Sequence, residues 1–371
     1  MHHTEGQRKG SIRTGRSIQG TGGTLTDNRY IEGLRNYDGR PIRLMEVCGS
    51  HTAAIARSGI KAMLSPKIKL ISGPGCPVCV TASSYVDRLV ELAVDGNIIV
   101  TFGDMLKVPG SRGSLYEAKG RGADVRMVYS PLDLVEMAQK DPEGRFVFAA
   151  VGFETTIPVY TLLLDQLIEK KIENVKLLTA LKHMVPVIER LLSDGCGVDG
   201  FLAPGHVSVI TGEREFLGTA KKFGVPFAIT GFGTDEILYG IWGLVDMIIN
   251  GGDPVRNYYP SVVTENGNER AKEKIDEYFE RKEAYWRGIG SIPESGSYLR
   301  KEFDKFDAKS FGLMKDEKLD ERCCCDRILT GKTEPAGCPL FGKECTPSSP
   351  RGACMVSSEG SCFAEYGRGI S

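Results

Sequence analysis

Residues Ile68 to Thr81, with the sequence IKLISGPGCPVCVT, contain the pattern on which the fold prediction depends. A short apolar run, typical of a buried strand, leads into glycines and prolines, and an amphipathic helical pattern follows from Tyr85. Both thiols, Cys76 and Cys79, are therefore predicted to lie in a strand-to-helix turn. Amides at a helix N-terminus stabilise a thiolate, and two cysteines at this spacing can form a disulfide or share a metal. Two small buried residues in a turn, or half of a zinc site, would give the same pattern.

The same order of elements, a short apolar run followed by a polar turn and a helix, recurs along the chain. Further runs cover 42–47, 98–102, 146–151, 198–202 and 227–230, and helical patterns such as 157–170 separate them. Short buried strands that alternate with helices indicate an α/β fold with parallel sheets, whose ligands collect at the carboxyl ends of the strands. The side chains with reactive groups at such ends are Cys48, Cys76, Glu154 and His206.

Cys48 follows the run 42–47, and His51 comes three residues later. A soft thiolate with an imidazole one helical turn away suits an iron or zinc ligand pair, or a nucleophile with its base. A core cysteine beside a helix-capping histidine would have the same spacing. Glu154, like Asp104 after the run 98–102, could orient a ligand or act as an acid or base, or only cap the next helix.

Length and charge limit the possible functions. The chain has 371 residues, enough for a large core and two or three domains. Its net charge is −1, so no broad field attracts nucleic acid or an anionic membrane. No apolar run approaches the length of a membrane span, and a cytoplasmic location is expected. In a reducing compartment, eleven cysteines favour metal ligation or redox chemistry over structural disulfides.

Seven of these cysteines lie in the C-terminal segment, among turn-forming prolines and glycines. Such a segment cannot fold by apolar burial alone, so a metal is predicted to organise it. Four thiolates suit either zinc or an iron–sulfur cluster, but these cysteines are dispersed instead of paired as in zinc knuckles. A [4Fe–4S] cluster is therefore favoured, either structural or electron-transferring, and the remaining thiols suit an electron-coupled disulfide. The seven are Cys323, Cys324, Cys325, Cys338, Cys345, Cys354 and Cys362.

Changes in composition divide the chain into regions. Near residue 251 glycine and proline interrupt the pattern, a charged helix is predicted from about Glu269 to Trp286, and strands are not expected beyond Gly288. Four regions are predicted: a mobile polar arm (1–28), a first α/β region (29–148), a second α/β domain (149–250) and a cluster domain (251–371). The first α/β region carries Cys48 and the Cys76/Cys79 pair, and its first part could pack with the second domain.

Taken together, these segments resemble the HypD family of hydrogenase maturation factors. The resemblance spans about residues 30 to 366 and includes the cysteine-rich tail. Its motifs are EVCGSHT (46–52), GPGCPVCVT (73–81), FGDMLKVPG (102–110), GFETT (152–156), PGHVS (204–208) and MVSSEG (355–360).

The resemblance implies two parallel-sheet α/β domains of related topology and a C-terminal, irregular, mostly helical iron–sulfur domain. It implies a maturation scaffold with redox function, and not a stand-alone enzyme. This scaffold would work with HypC and HypE to assemble the Fe(CN)2CO unit of [NiFe] hydrogenase, and so indirectly with the hydrogenase large subunit. Iron that receives CN and CO ligands would be held by Cys48, and His51 could orient or protonate a bound ligand. Cys76 and Cys79 would form a redox-active dithiol, and the tail cluster would supply electrons.

The resemblance also assigns the tail cysteines. Cys323, Cys338, Cys345 and Cys362 would hold the cluster, and Cys325 with Cys354 would form a second disulfide. It stays open whether Cys324 replaces a neighbouring cysteine as a cluster ligand. The residues expected at the reaction site are Cys48, His51, Cys76, Cys79, Glu154 and His206. Two other interpretations remain: a freestanding iron–sulfur thiol–disulfide oxidoreductase and a zinc-stabilised binding module.

Overall fold

The structure is a computed structural model that describes residues 29–318 and 320–368. The arm predicted for residues 1–28 lies outside the described residues. The strands are β1 (Ile42–Glu46), β2 (Ile68–Ser72), β3 (Ile98–Thr101), β4 (Val125–Met127), β5 (Phe146–Gly152), β6 (Val175–Lys182), β7 (Gly200–Pro204), β8 (Phe227–Thr230), β9 (Val255–Asn257), β10 (Phe279–Trp286) and β11 (Gly290–Leu299).

The α-helices mostly connect consecutive strands, and short 3₁₀ helices add turns at Gly103–Met105, Glu213–Phe216, Lys301–Phe306, Pro335–Gly337 and Ala353–Met355. None of the helices in the described ranges is long and apolar enough to cross a membrane. The α-helices are α1 (Arg29–Arg35), α2 (Gly49–Arg57), α3 (Ile60–Met63), α4 (Ser83–Val94), α5 (Leu115–Gly120), α6 (Asp133–Lys140), α7 (Ile157–Glu169), α8 (Met184–Ser193), α9 (Gly205–Thr211), α10 (Leu217–Phe223), α11 (Thr234–Asn250), α12 (Glu269–Tyr278), α13 (Cys325–Leu329) and α14 (Ser361–Arg368).

The strands form two sheets. The first has the order β2-β1-β7-β8-β9, and all its strands are parallel. The second has the order β10-β11-β6-β5-β3-β4; its four strands from β6 to β4 are parallel, and the hairpin β10–β11 adds antiparallel to β6. The predicted α/β class with parallel sheets is confirmed.

The two sheets have related topology, as expected. If the parallel strands of each sheet are numbered in chain order, both sheets contain the order 2-1-3-4. In such a sheet the direction of winding reverses beside the first strand, and ligands bind outside the carboxyl ends at that switch point. The switch point lies between β1 and β7 in the first sheet and between β3 and β5 in the second.

Strand pairing crosses the regions drawn from the sequence. β1 and β2, from the first part of the predicted first region, share a sheet with β7 and β8 from the second, which the sequence analysis had allowed for. The boundary after residue 148 falls inside β5. The region after residue 250 also supplies β9 to one sheet and β10 and β11 to the other. Strand pairing depends on long-range contacts, which local patterns do not encode.

The charged helix predicted to end at Trp286 is also corrected. Helix α12 ends at Tyr278, and residues 279–286 form β10. β10 is an edge strand, in which Phe279, Ala284 and Trp286 are buried while charged neighbours remain accessible. Because an edge strand can carry many charges, its composition resembles that of an exposed helix.

The tail packs against both sheets instead of forming a separate core. One buried cluster contains Met45 of β1, Val147 of β5 and Leu340 of the tail. Two further clusters cover the remaining faces of the second and first sheets. The tail is therefore fixed next to the carboxyl ends of the strands, where the candidate site lies.

Candidate functional site

Cys48 and the Cys76/Cys79 turn lie side by side. β1 and β2 are adjacent parallel strands, with Glu46 paired to Ser72, so the turns that follow them meet at one edge. The Gly49 amide donates a 2.8 Å hydrogen bond to the Gly75 carbonyl. A Cβ atom on Gly75 would lie 2.2 Å from the Cys48 nitrogen, so only glycine permits this approach.

Cys76 and Cys79 form a disulfide in the structure, with their Cα atoms 5.3 Å apart. The Cys79 amide donates to Cys76 Sγ at 3.2 Å, and both residues are buried. The strand-to-helix turn predicted from the sequence is present, although α4 begins only at Ser83. The two sulfur atoms are therefore positioned next to the backbone of Cys48.

The Cys48 thiol is buried and occupies the N-cap position of α2. Burial raises its pKa to about 12, an effect that hydrogen bonds from the His51 and Ser50 amides only partly offset. The thiol is therefore protonated at neutral pH. A bound metal cation would favour the thiolate, because metal binding competes with the proton.

Glu46 fixes the backbone at Cys48, and the sequence analysis did not single it out. Its carboxylate accepts hydrogen bonds from the Cys48 amide at 3.1 Å and the Thr52 hydroxyl at 2.6 Å. Burial raises its pKa to about 7. The available signal was an acidic residue at the end of a mostly apolar strand, two positions before Cys48.

His51 lies behind Cys48, beneath the ends of the first sheet. Its Nε2 lies 2.9 Å from the Gly231 carbonyl and 3.1 Å from the Thr230 hydroxyl. Burial lowers the pKa of His51 to about 4, so the imidazole is neutral at physiological pH. The Phe232 ring contacts both imidazoles, with centroids 4.7 Å from His51 and 4.0 Å from the accessible His206.

The tail motif MVSSEG joins the two sheets at this point. Ser50 donates to Glu359 Oε1 at 2.8 Å on the first-sheet side, and Ser357 donates to Asp104 Oδ2 at 2.6 Å on the second-sheet side. The Glu359 charge raises the pKa of both Cys48 and His206, although burial lowers that of His206 overall. Glu359 lies within the MVSSEG motif, but its sequence context did not predict a role at the site.

Glu154 is engaged elsewhere. Its Oε1 accepts a 2.8 Å hydrogen bond from the Met184 amide, at the first turn of α8, and lies 3.5 Å from His183 Nδ1. Among the described residues, these contacts connect Glu154 to α8 and not to Cys48. Glu154 therefore caps α8, whereas the alternative left open by the sequence was a cap on the next helix, α7.

Five of the tail cysteines line one small cavity. In the described part of the chain, no three His, Cys, Asp or Glu side chains converge on a point where they could hold a single metal ion. The thiols instead line walls completed by apolar residues such as Leu340 and Phe341, which suits a larger group such as an iron–sulfur cluster. The lining cysteines are Cys323, Cys325, Cys338, Cys345 and Cys362.

The thiols in and beside this cavity interact with one another. Cys323 Sγ and Cys325 Sγ are 3.4 Å apart, and the hydrogen bond between them lowers the pKa of Cys323 to about 7. Cys325 also interacts with Cys354 and Cys362. The Cys325 and Cys354 thiols are free and in contact, so their disulfide remains a prediction. Cys324 is half-buried next to the Arg322 carbonyl.

One peptide segment, Gly352–Ala353, separates the cavity from the Cys76/Cys79 disulfide. A Cβ atom on Gly352 would lie 2.4 Å from Cys325 Sγ and 2.8 Å from Cys323 Sγ. On the other side, Cys79 Sγ lies 3.9 Å from the Ala353 carbonyl oxygen. The tertiary structure thus brings Cys48, the disulfide and the tail thiols into one contiguous region.

Comparison with known proteins places the chain in a family. The HypD family model, described as "Hydrogenase formation hypA family", matches residues 27–369. The hydrogenase maturation factor HypD of Escherichia coli K12 is 41% identical over 332 residues, which cover 88% of this chain and 89% of that protein. The proteins of the same name from Azotobacter vinelandii and Cupriavidus necator are 40% and 38% identical, and each alignment covers 89% of this chain and 90% of the relative. This chain therefore belongs to the HypD family of hydrogenase maturation factors.

Proposed function

We propose that this chain works with HypC and HypE to assemble the Fe(CN)2CO unit of [NiFe] hydrogenase on iron held by Cys48. The observation that carries the proposal is the packing of Gly75 against Cys48, which brings the disulfide-bearing turn after β2 against the end of β1, one of the two strands that border the switch point. In this role the iron is the cargo, and the chain is a cytoplasmic scaffold without turnover of its own.

The residues around Cys48 suit a site that holds iron temporarily. A thiolate is a soft ligand for iron, and the buried thiol gives up its proton only when a cation replaces it. Glu46 fixes the Cys48 backbone through the Cys48 amide. The neutral His51 keeps the α2 turn attached to the end of β8, and the accessible His206 and Glu359 remain available to a partner or a bound ligand.

The disulfide gives the site a reversible two-electron couple. Reduction of Cys76–Cys79 consumes two electrons and two protons and yields two thiols beside Cys48. Cys323, Cys338, Cys345 and Cys362, the four that the family resemblance assigns, would hold the cluster; all four line the cavity, as does Cys325. A [4Fe–4S] cluster in that cavity would supply one-electron chemistry. Cys325 and Cys354, which are in contact, would form the second redox pair.

The test is anaerobic co-purification of the chain with HypC and HypE, followed by infrared and Mössbauer spectroscopy. We expect cyanide and carbonyl bands and two iron environments. Cys48→Ala should remove the bands and one iron environment and leave the tail cluster. The matched control is Cys196→Ala, because Cys196 is a free, partly buried thiol whose neighbours include Val198, Asp194 and Arg43. Bands that persist in Cys48→Ala would overturn the proposal.

The disulfide also favours a second candidate, a freestanding thiol–disulfide oxidoreductase that uses Cys76 and Cys79. Steady reduction of a disulfide substrate without HypC would support it. However, Cys79 is fully buried and Cys76 nearly so, whereas a catalytic thiol must reach its substrate. We therefore expect no turnover by the isolated chain, and turnover lost in Cys76→Ala would establish the second function.

A further inference from the structure

One segment of the tail runs from the start of α4, the helix after the disulfide turn, to the cysteine cavity. The Ser83 amide donates a 3.0 Å hydrogen bond to Asp316 Oδ1, and the Glu317 amide donates to the Ser83 hydroxyl at 2.7 Å. These contacts hold the backbone next to Lys318. Lys318 has no role in the function proposed above.

Lys318 forms an ion pair beside two of the tail cysteines. Its Nζ donates to the Cys323 carbonyl at 3.3 Å and lies 3.3 Å from Asp326 Oδ2. Asp326 directly follows Cys325 at the start of α13. About a third of each charged side chain is accessible to solvent, so the pair is only partly screened. A cation and an anion therefore lie next to a residue that the proposed function makes a cluster ligand.

The cavity also presents backbone donors to its sulfur atoms. The Arg351 amide donates to Cys345 Sγ at 3.3 Å. Hydrogen bonds to sulfur, net charge and solvent exposure are the features that set the reduction potential of an iron–sulfur cluster. The amide donor belongs to the main chain, whereas the charges of Lys318 and Asp326 can be removed one at a time by substitution.

A charge beside a cluster acts unequally on its two redox states. One-electron reduction makes the cluster more negative and breaks no bond, so a nearby cation stabilises the reduced state and a nearby anion the oxidised state. We propose that the Lys318–Asp326 ion pair sets the reduction potential of the cluster that the tail cysteines hold. The inference rests on the cluster of the proposed function. Neither residue is a ligand; both act through the electric field at Cys323.

The two charges have opposite effects, which makes the inference specific. Loss of the Lys318 cation leaves the Asp326 carboxylate without this counter-ion, and its Oδ1 is buried, so the reduced state is destabilised. Loss of the Asp326 charge leaves the cation, so the reduced state is stabilised. A variant that lacks both charges returns close to the balance of the wild type.

The test is an anaerobic redox titration of the full-length chain, with dithionite as the electron donor and the EPR signal of the reduced cluster as the readout. In Lys318→Gln we expect the equilibrium constant for reduction to fall about tenfold, which is about 59 mV for a one-electron couple. In Asp326→Asn we expect a shift of similar size to higher potential. The double variant should lie between the two, near the wild type.

Two control variants separate charge from structure. Lys318→Arg keeps the cation and should restore the wild-type potential. Lys315→Gln removes an exposed cation from the same segment, where Ser84 is contacted through the backbone, and should leave the potential unchanged. Because the ion pair is partly accessible, both shifts should also shrink as salt rises from about 0.05 M to about 0.5 M.

Shifts in the same direction in the two single variants would overturn the inference, because a loosened cavity would then explain them. Unchanged potentials in both variants would overturn this inference alone, since the cluster would be present and the infrared bands report on Cys48. A wild-type chain that binds no iron–sulfur cluster would refute the cluster assignment of the proposed function, and this inference with it.

Discussion

The carboxyl edges of the two sheets share one topology and differ in chemistry. At the first edge, Cys48 follows β1 and lies against the Cys76/Cys79 turn after β2. At the second edge, Asp104 follows β3 and bonds to Ser357, and Glu154 follows β5 and bonds to the first turn of α8. Cys48 and Asp104 follow equivalent strands, β1 and β3, so the equivalent position carries sulfur in one sheet and a structural carboxylate in the other. Topology determines where a site can form, but the side chains decide whether one does.

The largest expected effect comes from a substitution that separates the two turns at the first edge. Gly75→Ala places a Cβ atom 2.2 Å from the Cys48 nitrogen, against backbone that cannot move freely. We expect a loss of about 3 kcal/mol in the free energy of unfolding, measured by chemical denaturation. Gly218→Ala in α10, where the new Cβ meets nothing within 4 Å, should instead stabilise the chain by up to about 1 kcal/mol. Equal effects would contradict the close packing.

The first edge should also respond to pH through His51. Because its pKa is about 4 when folded and about 6.5 when unfolded, the unfolded state takes up a proton first as the pH falls. The stabilising effect of the neutral imidazole is complete above pH 6.5 and is lost as the pH falls towards 4, by about 3 kcal/mol.

The measurement compares wild type with His51→Gln, which keeps a donor for the Gly231 carbonyl and does not titrate. The stability difference should narrow from pH 7 to pH 4. Glu46, whose pKa is about 7, titrates with the opposite sign in an overlapping range, so the difference between the proteins isolates His51 better than either curve alone. A difference that stays constant across this range would show that His51 titrates normally.

At the second edge, loss of a carboxylate should affect stability and not chemistry. Glu154→Ala removes the acceptor for the Met184 amide and should lower the free energy of unfolding by about 2 kcal/mol. Glu154→Gln keeps an acceptor oxygen and should cost less. The infrared bands of the folded variants should remain, so their loss in a folded Glu154→Ala protein would give this residue a role in the reaction.

The smallest expected effects come from the tail that links the two edges. Ser50→Ala and Ser357→Ala each remove one hydrogen bond to a carboxylate and should each weaken the tail by about 1 kcal/mol. Faster amide hydrogen exchange in residues 353–360 would show this local opening. Ser348→Ala, whose exposed hydroxyl contacts Thr346, is the control and should leave exchange in that segment unchanged.

Local patterns predicted much of the site's first edge. The apolar runs that became β1, β2, β3, β5, β7 and β8 were identified, and Cys48 and Cys76 were placed at strand ends. The strands β4, β6, β9, β10 and β11 were missed. β4 and β9 are three-residue edge strands, and β6 contains two lysines. β10 lies in the segment predicted as a charged helix, and β11 lies beyond Gly288, where no strand was expected. Glu359 was missed because its partner Ser50 is distant in sequence, and Glu46 was missed although its partners Cys48 and Thr52 are close, because an acidic residue at a strand end does not by itself indicate burial.

The sequence by itself determined the α/β class, the positions of the thiols relative to strands, and the crowding of cysteines in the tail. These follow from hydrophobic periodicity and turn residues, which act over a few neighbouring positions. Only the tertiary structure decided that β1 pairs with β7, that Glu154 caps α8, and that Glu359 reaches Ser50 across 309 positions. Such contacts depend on which surfaces fit together after collapse, and that complementarity is a property of the whole chain.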